Sequence, residues 1–152
     1  MTEQKVETAD NLTDNSQTET AAKEYIPSDE EYRRTFEDIE RLIHRLNAII
    51  IDRNYEKWLS YLTKEYMEKK GDPEYLKRLS DMPTLVQSGI ILWTLKDYFY
   101  QVVVPSRYKA TLDEIVFLDA DHIKAYTYIN EEPVILYYLE KIEGEWKITH
   151  WE

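Results

Sequence analysis

The chain contains no cysteine among its 152 residues, and only three glycines and three histidines. The absence of cysteine excludes disulfides, thiolate metal sites and cysteine nucleophiles. Gly71, Gly89 and Gly144 lie too far apart to form a glycine-rich phosphate loop or a dinucleotide fingerprint. The histidines are scattered and form no His-Glu-x-x-His pair. We therefore expect neither a metal ion nor a cofactor.

Basic residues are also scarce, with 19 Lys and Arg against 30 Asp and Glu and a net charge of −11. A nucleic-acid binder normally presents a basic patch that displaces counterions from phosphates. We therefore expect neither nucleic acid nor an anionic lipid surface as a partner. No apolar run approaches the roughly 20 residues of a transmembrane helix, and the first residues lack the segments of a signal peptide.

The chain is nevertheless rich in aromatic residues, with 13 Tyr and 4 Trp. Almost all of them follow residue 24, whereas the preceding segment is polar and acidic. This contrast predicts a disordered acidic tail over residues 1–26 and one folded domain over residues 27–152. Two interpretations of the tail stay open. It is the terminus of a cytoplasmic protein, or it is a spacer in a cell-envelope lipoprotein, with Met1 where a lipidated cysteine would stand.

The first half of the domain shows helical signals. Ser28 followed by Glu31 predicts a capping box at the start of a long helix that runs to about Ile51. Its apolar residues recur every three or four positions: Tyr32, Phe36, Ile39, Ile43, Leu46 and Ile50. Asn54 offers the cap of a second helix that extends to about Lys69.

Further helices are predicted before residue 105. Asp72-Pro73 begins a third helix that ends before Pro83. Residues 84–93 fit a strand or a helix. Thr94 predicts the cap of a fourth helix, which we expect Pro105 to end.

The second half of the domain shows strand signals. Short runs rich in β-branched and aromatic residues occupy Leu112–Leu118, Ile123–Ile129, Val134–Ile142 and Glu145–Trp151. Tight acidic or glycine-containing turns separate them, which is typical of an antiparallel meander. The fold class is therefore α+β, with N-terminal helices packed against one face of an antiparallel sheet.

Two passages resemble the NTF2-like superfamily, whose members are also described as SnoaL-like or cystatin-like cone folds. One is Asn47–Leu59, which joins the end of a helix to an acidic break and an aromatic-bearing second helix. The other is the closing Gly144–Trp151. The resemblance implies a curved antiparallel sheet wrapped around the first helix. The superfamily includes isomerases, dehydratases, cyclases and transport factors, so the fold alone does not fix the function.

The resemblance also implies where a site would lie, because the enzymes of this superfamily place an Asp, or a His with an Asp, inside the cone. Here Trp146, Ile148 and His150 alternate along the last strand, so we expect them to share one face. His150 is thus the candidate acid or base, although a hydrogen-bonded histidine at the rim is the more ordinary interpretation. The predicted ligand-binding residues are aromatic or lie beside aromatics: Trp146, His150, Tyr126, Tyr138, Trp58 and Trp93.

Three functional hypotheses follow. The first is a non-enzymatic NTF2-like binding or scaffold domain, held at the cell envelope by a lipid, that binds a small apolar ligand or a protein partner. The alternative is a small-molecule isomerase, dehydratase or hydrolase that uses the cone pocket. The third is a homodimer formed through the sheet face. Arg107 fits the mouth of a pocket for an acidic ligand or, more simply, an exposed loop.

Overall fold

The computed structural model describes residues 24–151, so most of the predicted tail lies outside the described residues. The helical elements are α1 Asp29–Ile51, α2 Tyr55–Leu59, α3 Lys64–Lys70, α4 Pro73–Ser80, α5 Pro83–Gln87, α6 Leu95–Tyr98, a π-helical turn Phe99–Val103, and α7 Val104–Arg107. The strands are β1 Glu114–Asp119, β2 His122–Ile129, β3 Glu132–Ile142 and β4 Glu145–Thr149.

The strands form one open antiparallel sheet in the order β1-β2-β3-β4. The predicted meander is confirmed, and with it the α+β fold class. Ile123 pairs with Leu139, and Leu139 pairs with Ile148, so a row of apolar side chains crosses three strands. An irregularity between Ala125 and Tyr126 shifts the register of β2 against β3. Such a bulge re-aims the side chains next to it.

Helix α1 begins as the sequence indicates, but its capping box is only half formed. The Ser28 hydroxyl accepts a hydrogen bond from the Glu31 backbone N–H at 3.0 Å. The Glu31 carboxylate does not return to Ser28, because it accepts a hydrogen bond from the Tyr25 hydroxyl at 2.8 Å. The Tyr25 ring lies 5.6 Å from the Phe117 ring. Packing against the domain therefore begins before the α1 cap.

One hydrophobic core joins α1 to the sheet. Helix α1 buries Ile39, Leu42, Ile43, Leu46, Ile49 and Ile50, and the sheet contributes Ile115, Ile123, Ala125, Leu139 and Ile148. Removing a side chain of this size from water contributes about 1.5–3 kcal/mol. The predicted apolar stripe of α1 is confirmed, with Tyr32 and Phe36 half-buried at its N-terminal end.

The prediction of one helix from Tyr55 to Lys69 is wrong. Residues 60–63 leave the helix and lie alongside β4, with Leu62 in a parallel bridge to Ile148. The Ile148 N–H donates to the Tyr61 carbonyl at 2.7 Å, and the Thr63 N–H donates to the Ile148 carbonyl at 2.9 Å. These bonds satisfy the edge of β4, and Thr63 then caps a separate helix α3.

One open point and one expectation between residues 83 and 107 are decided by the structure. Residues 84–93, which fit a strand or a helix, are helical up to Gln87 in α5 (Pro83–Gln87) and irregular after it. Pro105 does not end the helical segment, because it lies in the first turn of α7. Proline is tolerated there because the N–H groups of a first turn need no helical acceptor. The Thr94 cap is confirmed and forms a complete capping box with Asp97.

Candidate functional site

A cavity of about 280 Å³ lies where the helices meet the C-terminal half of the sheet. Its wall comes from α2, α3, α6, the π-helical turn, α7, β3, β4 and the residues that follow β4. Aromatic side chains dominate this wall: Trp58, Tyr66, Tyr98, Tyr137, Tyr138 and Trp151. The volume is near the lower end of ligand pockets, which begin at roughly 300 Å³. The cavity therefore suits a compact molecule.

Trp58 is the anchor of the inner wall. It is fully buried, and its ring lies 4.8 Å from Phe99 and 6.0 Å, edge-on, from Tyr66. Tyr66 is held by the start of α3, where its N–H donates to the Thr63 hydroxyl at 3.1 Å. Thr63 is itself fixed against Ile148 of β4. The detour of the chain through residues 60–63 thus sets the position of Tyr66.

Arg107 enters the wall from α7 and is half-buried. Its Nε–H donates to the Leu136 carbonyl at 3.1 Å, and one terminal nitrogen donates to the Ser106 hydroxyl at 3.0 Å. The guanidinium also lies 5.7 Å from the centre of the Tyr137 ring. Its plane is therefore held by three contacts. Among the described residues, no carboxylate lies within ion-pair distance of it.

The buried tyrosines of the wall stay protonated at neutral pH. Burial raises the pKa of Tyr137 to about 12, while the charge of Arg107 opposes that shift. Burial also raises the pKa of Tyr98 to about 12, and Tyr75 adds to the effect. The pKa of Tyr66 is raised well above its ordinary value by burial and by the neighbouring Tyr98. These hydroxyls can therefore donate hydrogen bonds.

Two lining residues carry buried polar atoms that no group in the described part of the chain satisfies. They are the Tyr137 hydroxyl and the Trp58 Nε1–H. A buried donor without a partner costs about 1–3 kcal/mol. Most buried polar groups in folded proteins are paired, so unpaired ones call for an explanation. Here both belong to residues that line the same cavity.

The charge of the cavity wall is opposite to that of the chain. The wall contains the cations Lys70 and Arg107, and none of the described lining residues is Asp or Glu. The whole chain carries a net charge of −11. Lys70 is half-buried, with its ammonium 4.8 Å from the Tyr75 ring centre and 5.8 Å from that of Tyr66. Positive charge is therefore concentrated where acidic side chains are missing from the described wall.

The structure brings together three of the residues predicted to bind a ligand. Trp58, Tyr138 and His150 all line the cavity. His150 is half-buried and follows the end of β4. It is thus neither sealed in the core nor fully open to bulk water. The binding role of all three residues stays a prediction.

The other three predicted residues lie elsewhere. Trp146 lines a separate depression beside Arg41 and Arg45 of α1, with the Lys141 ammonium 5.8 Å from its ring. Tyr126 is a half-buried residue of β2, 6.0 Å from the Lys124 ammonium. Trp93 is 74% exposed in the irregular chain before α6.

The expected shared wall for Trp146 and His150 therefore does not form. Strand β4 ends at Thr149, so the strand alternation does not extend to His150. Tyr126 alternates on β2 with the buried Ala125 and Thr127, so it points away from the core face. A dimer through the sheet face stays a prediction.

Four residues of the wall were not among the predicted ligand-binding residues: Tyr66, Tyr98, Tyr137 and Lys70. The sequence pattern did not indicate Tyr66 and Lys70, because the break at residues 60–63 changes which side chains of α3 face the cavity. Tyr98 had a signal, since it belongs to the apolar helical spacing after Thr94. For Arg107 the sequence left two positions open, the mouth of a pocket or an exposed loop, and the structure places it on the cavity wall.

His122 makes a second polar cluster outside the cavity. Its Nδ1 lies 2.9 Å from Asp119 Oδ1, and its Nε2 lies 3.7 Å from Glu140 Oε2. Its ring lies 4.9 Å from that of Trp151. Between residues 24 and 151, no group of three or more His, Asp or Glu side chains could hold a metal ion. The cluster instead ties the β1–β2 turn to β3.

Comparison with known proteins gives one informative relative. The chain is 34% identical over 118 residues to an uncharacterized lipoprotein of Treponema pallidum (strain Nichols). The match covers 78% of this chain and 62% of that protein. No family model matches the chain. No solved structure matches it either. Within residues 24–151, no helix is long and apolar enough to cross a membrane.

Proposed function

We propose that this chain is a non-enzymatic binding domain of the NTF2-like type, held at the cell envelope by a lipid anchor, with a small ligand in the aromatic cavity. The observation that carries the binding proposal is a cavity of about 280 Å³ in which six of the sixteen lining residues are Tyr or Trp. Trp58 and Tyr137, which carry buried polar atoms without a partner in the described chain, both belong to this lining. Aromatic walls with a few placed polar groups are typical of small-molecule sites.

The envelope location is supported by the relative from Treponema pallidum, which is a lipoprotein. The predicted spacer character of the N-terminal residues agrees with an anchor ahead of the domain. A lipid anchor also needs no membrane-spanning helix. Since the chain matches 62% of the relative, the location of the whole protein is part of the proposal.

The NTF2-like assignment is supported by the order of the elements. A long first helix packs in one core with an antiparallel sheet, and residues 60–63 join the free edge of β4. The cavity then lies between the helices and the sheet, where the superfamily places its sites. An experimental structure in which the sheet is flat and does not curve around α1 would overturn this assignment.

Mass spectrometry of the protein isolated from its own organism tests both parts of the proposal. Covalent mass that survives denaturation, together with partition into detergent, is the expected result for the anchor. Mass that is present under native conditions and lost on denaturation is the expected result for the ligand. The bare chain mass in both states, with partition into the aqueous phase, would contradict both parts.

A second function is favoured by one observation, which is the position of His150 in the cavity wall. An imidazole beside buried hydroxyl donors can act as a general acid or base on a carbonyl compound. This is the isomerase, dehydratase or hydrolase alternative. This alternative needs a cavity beside His150, and His150 lines the cavity of about 280 Å³.

Proton exchange at carbon distinguishes the catalytic alternative from binding alone. The wild-type chain and the His150→Gln variant would each be incubated with a small cyclic ketone in heavy water. Deuterium uptake next to the carbonyl that is accelerated by the wild type, and lost in the variant, supports catalysis. His122→Gln, at a histidine outside the cavity, is the control and should keep the acceleration. No acceleration by the wild type above buffer counts against catalysis, and so does full acceleration by His150→Gln.

A further inference from the structure

The cavity wall differs from the rest of the protein in the sign of its charge. Its described residues include the cations Lys70 and Arg107 and no acid, in a chain with 30 Asp and Glu against 19 Lys and Arg. A site lined by one sign of charge concentrates ligands of the opposite sign.

Arg107 is built as an anion-binding group. A guanidinium is always charged and has five donor hydrogens in a planar fork. The contacts to the Leu136 carbonyl and to Ser106 use one Nε–H and one terminal N–H. The guanidinium also makes a cation–π contact with the Tyr137 ring. The remaining N–H groups meet no carboxylate of the described chain, and they match the two oxygens of a bound carboxylate.

The tyrosines supply neutral donors around this charge. Tyr137 and Tyr98 are 7% and 9% exposed, so their hydroxyls are shielded from competing water. The Tyr137 hydroxyl has no partner among the described residues. Tyr66, Tyr98, Tyr137 and Arg107 all line the cavity.

We propose that the cavity binds a small organic monocarboxylate, with its carboxylate on Arg107 and its apolar body against the aromatic side chains of the wall. A volume of about 280 Å³ holds roughly nine water-sized groups at about 30 Å³ each. This corresponds to one ring with a carboxylate. The inference rests on the proposed binding function and adds the charge and size class of the ligand.

The test compares a carboxylate with its neutral isostere on the full chain. Benzoate and benzamide have the same size and shape, and differ in charge. We expect benzoate to bind at least tenfold more tightly than benzamide, a factor that corresponds to about 1.4 kcal/mol. Binding would be followed by NMR shifts of the Trp58 indole N–H and of the Tyr137 ring. Acetate, which lacks the apolar body, should bind at least tenfold more weakly than benzoate.

Arg107→Gln is the decisive variant, because it removes the charge and keeps a polar group near Leu136. We expect it to abolish the preference for benzoate and to leave the weak binding of benzamide unchanged. Lys109→Gln is the matched control, since it removes the same charge from an exposed residue two positions away. It should keep the full preference. Arg107→Lys, which keeps the charge and loses the fork, should retain part of it.

The outcomes separate this inference from the function on which it rests. Equal binding of benzoate and benzamide would overturn the anionic ligand and leave the binding cavity intact. No binding of either probe at about 10 mM, which means a binding free energy weaker than about 2.7 kcal/mol, would overturn the cavity as a binding site as well. If Arg107→Gln does not fold, the wild-type ratio and its partial retention in Arg107→Lys decide the question.

Discussion

The guanidinium of Arg107 lies 5.7 Å from the centre of the Tyr137 ring, and its Nε–H donates to the carbonyl of the preceding residue, Leu136, at 3.1 Å. One side chain of α7 thus contacts both the ring and the backbone of β3. A cation over an aromatic face contributes about 0.5–2 kcal/mol, and more when it is shielded from water. This link holds the last helical turn against the sheet at the cavity wall.

The unpaired Tyr137 hydroxyl leads to a prediction at neutral pH. Tyr137→Phe keeps the ring under Arg107 and removes a buried hydroxyl that has no partner in the described chain. We expect the free energy of unfolding to rise by about 1 kcal/mol, since an unsatisfied buried donor is removed. Urea denaturation at neutral pH measures the change. Tyr138→Phe, at the half-buried neighbour, should change it by less than about 0.5 kcal/mol.

If Tyr137→Phe is instead destabilised by more than about 1 kcal/mol, the hydroxyl has a partner in solution.

The raised tyrosine pKa values predict a loss of stability in alkali. Folding raises the pKa of Tyr98 and Tyr137 from 10.0 to about 12, so the unfolded chain loses these protons first. The stability that depends on the protonated hydroxyls is complete below pH 10 and is lost as the pH rises to about 12. Between these two pH values, each of the two tyrosines lowers the free energy of unfolding by about 3 kcal/mol.

Unfolding free energies measured at a series of alkaline pH values test this dependence. Tyr98→Phe and Tyr137→Phe should each flatten the decline, and Tyr128→Phe, at an exposed tyrosine, should flatten it less. An unchanged slope in Tyr137→Phe would mean that its hydroxyl ionises in the folded protein as readily as in the unfolded chain.

The sequence predicted the parts of the fold that depend on local periodicity and caps. The stripe of α1, the cap at Thr94 and the meander after residue 112 all follow from near neighbours along the chain. The break at residues 60–63 does not, because it depends on the hydrogen bonds that Ile148 donates to Tyr61 and accepts from Thr63, more than eighty positions away along the chain. Pro105 was misjudged because the π-helical turn before it starts a new helical segment.

The site was harder to predict because it is made of contacts between distant segments. Trp58, Tyr138 and His150 line the cavity. Trp146 does not, because its predicted position assumed that β4 continues through His150, whereas β4 ends at Thr149. Residue type alone pointed to Trp93, which is exposed. The absence of acids from the described wall is a property of the tertiary structure, and no local pattern of the sequence carries it.

The two environments of tryptophan give a third prediction. Trp58 is fully buried against Phe99, whereas Trp93 is 74% exposed. Trp58→Ala should lower the free energy of unfolding by about 3–5 kcal/mol, because a large buried ring is lost and a cavity remains. Trp93→Ala should change it by less than about 0.5 kcal/mol. Denaturation followed by circular dichroism compares the two, and equal losses would mean that Trp93 is packed in solution.

The buried pair of Thr63 and Thr149 gives the fourth prediction. Their hydroxyl oxygens lie 3.0 Å apart, and Thr63 also caps α3 by accepting the Tyr66 N–H at 3.1 Å. Thr63→Val should cost about 1–2 kcal/mol, since it removes a cap and leaves a buried N–H unpaired. Thr149→Val should cost about 1 kcal/mol, because it removes one side of a buried hydrogen bond.

A double-mutant cycle shows whether the two threonines act together. Because they share one buried hydrogen bond, the double variant should be more stable than the sum of the single losses predicts, by about 0.5–1 kcal/mol. Thr94→Val, which removes the cap of α6, supplies the control and should show no coupling to Thr149→Val. A coupling of zero between Thr63 and Thr149 would mean that residues 60–63 do not lie against β4 in solution. In that case Tyr66 would not be held in the cavity wall by residues 60–63.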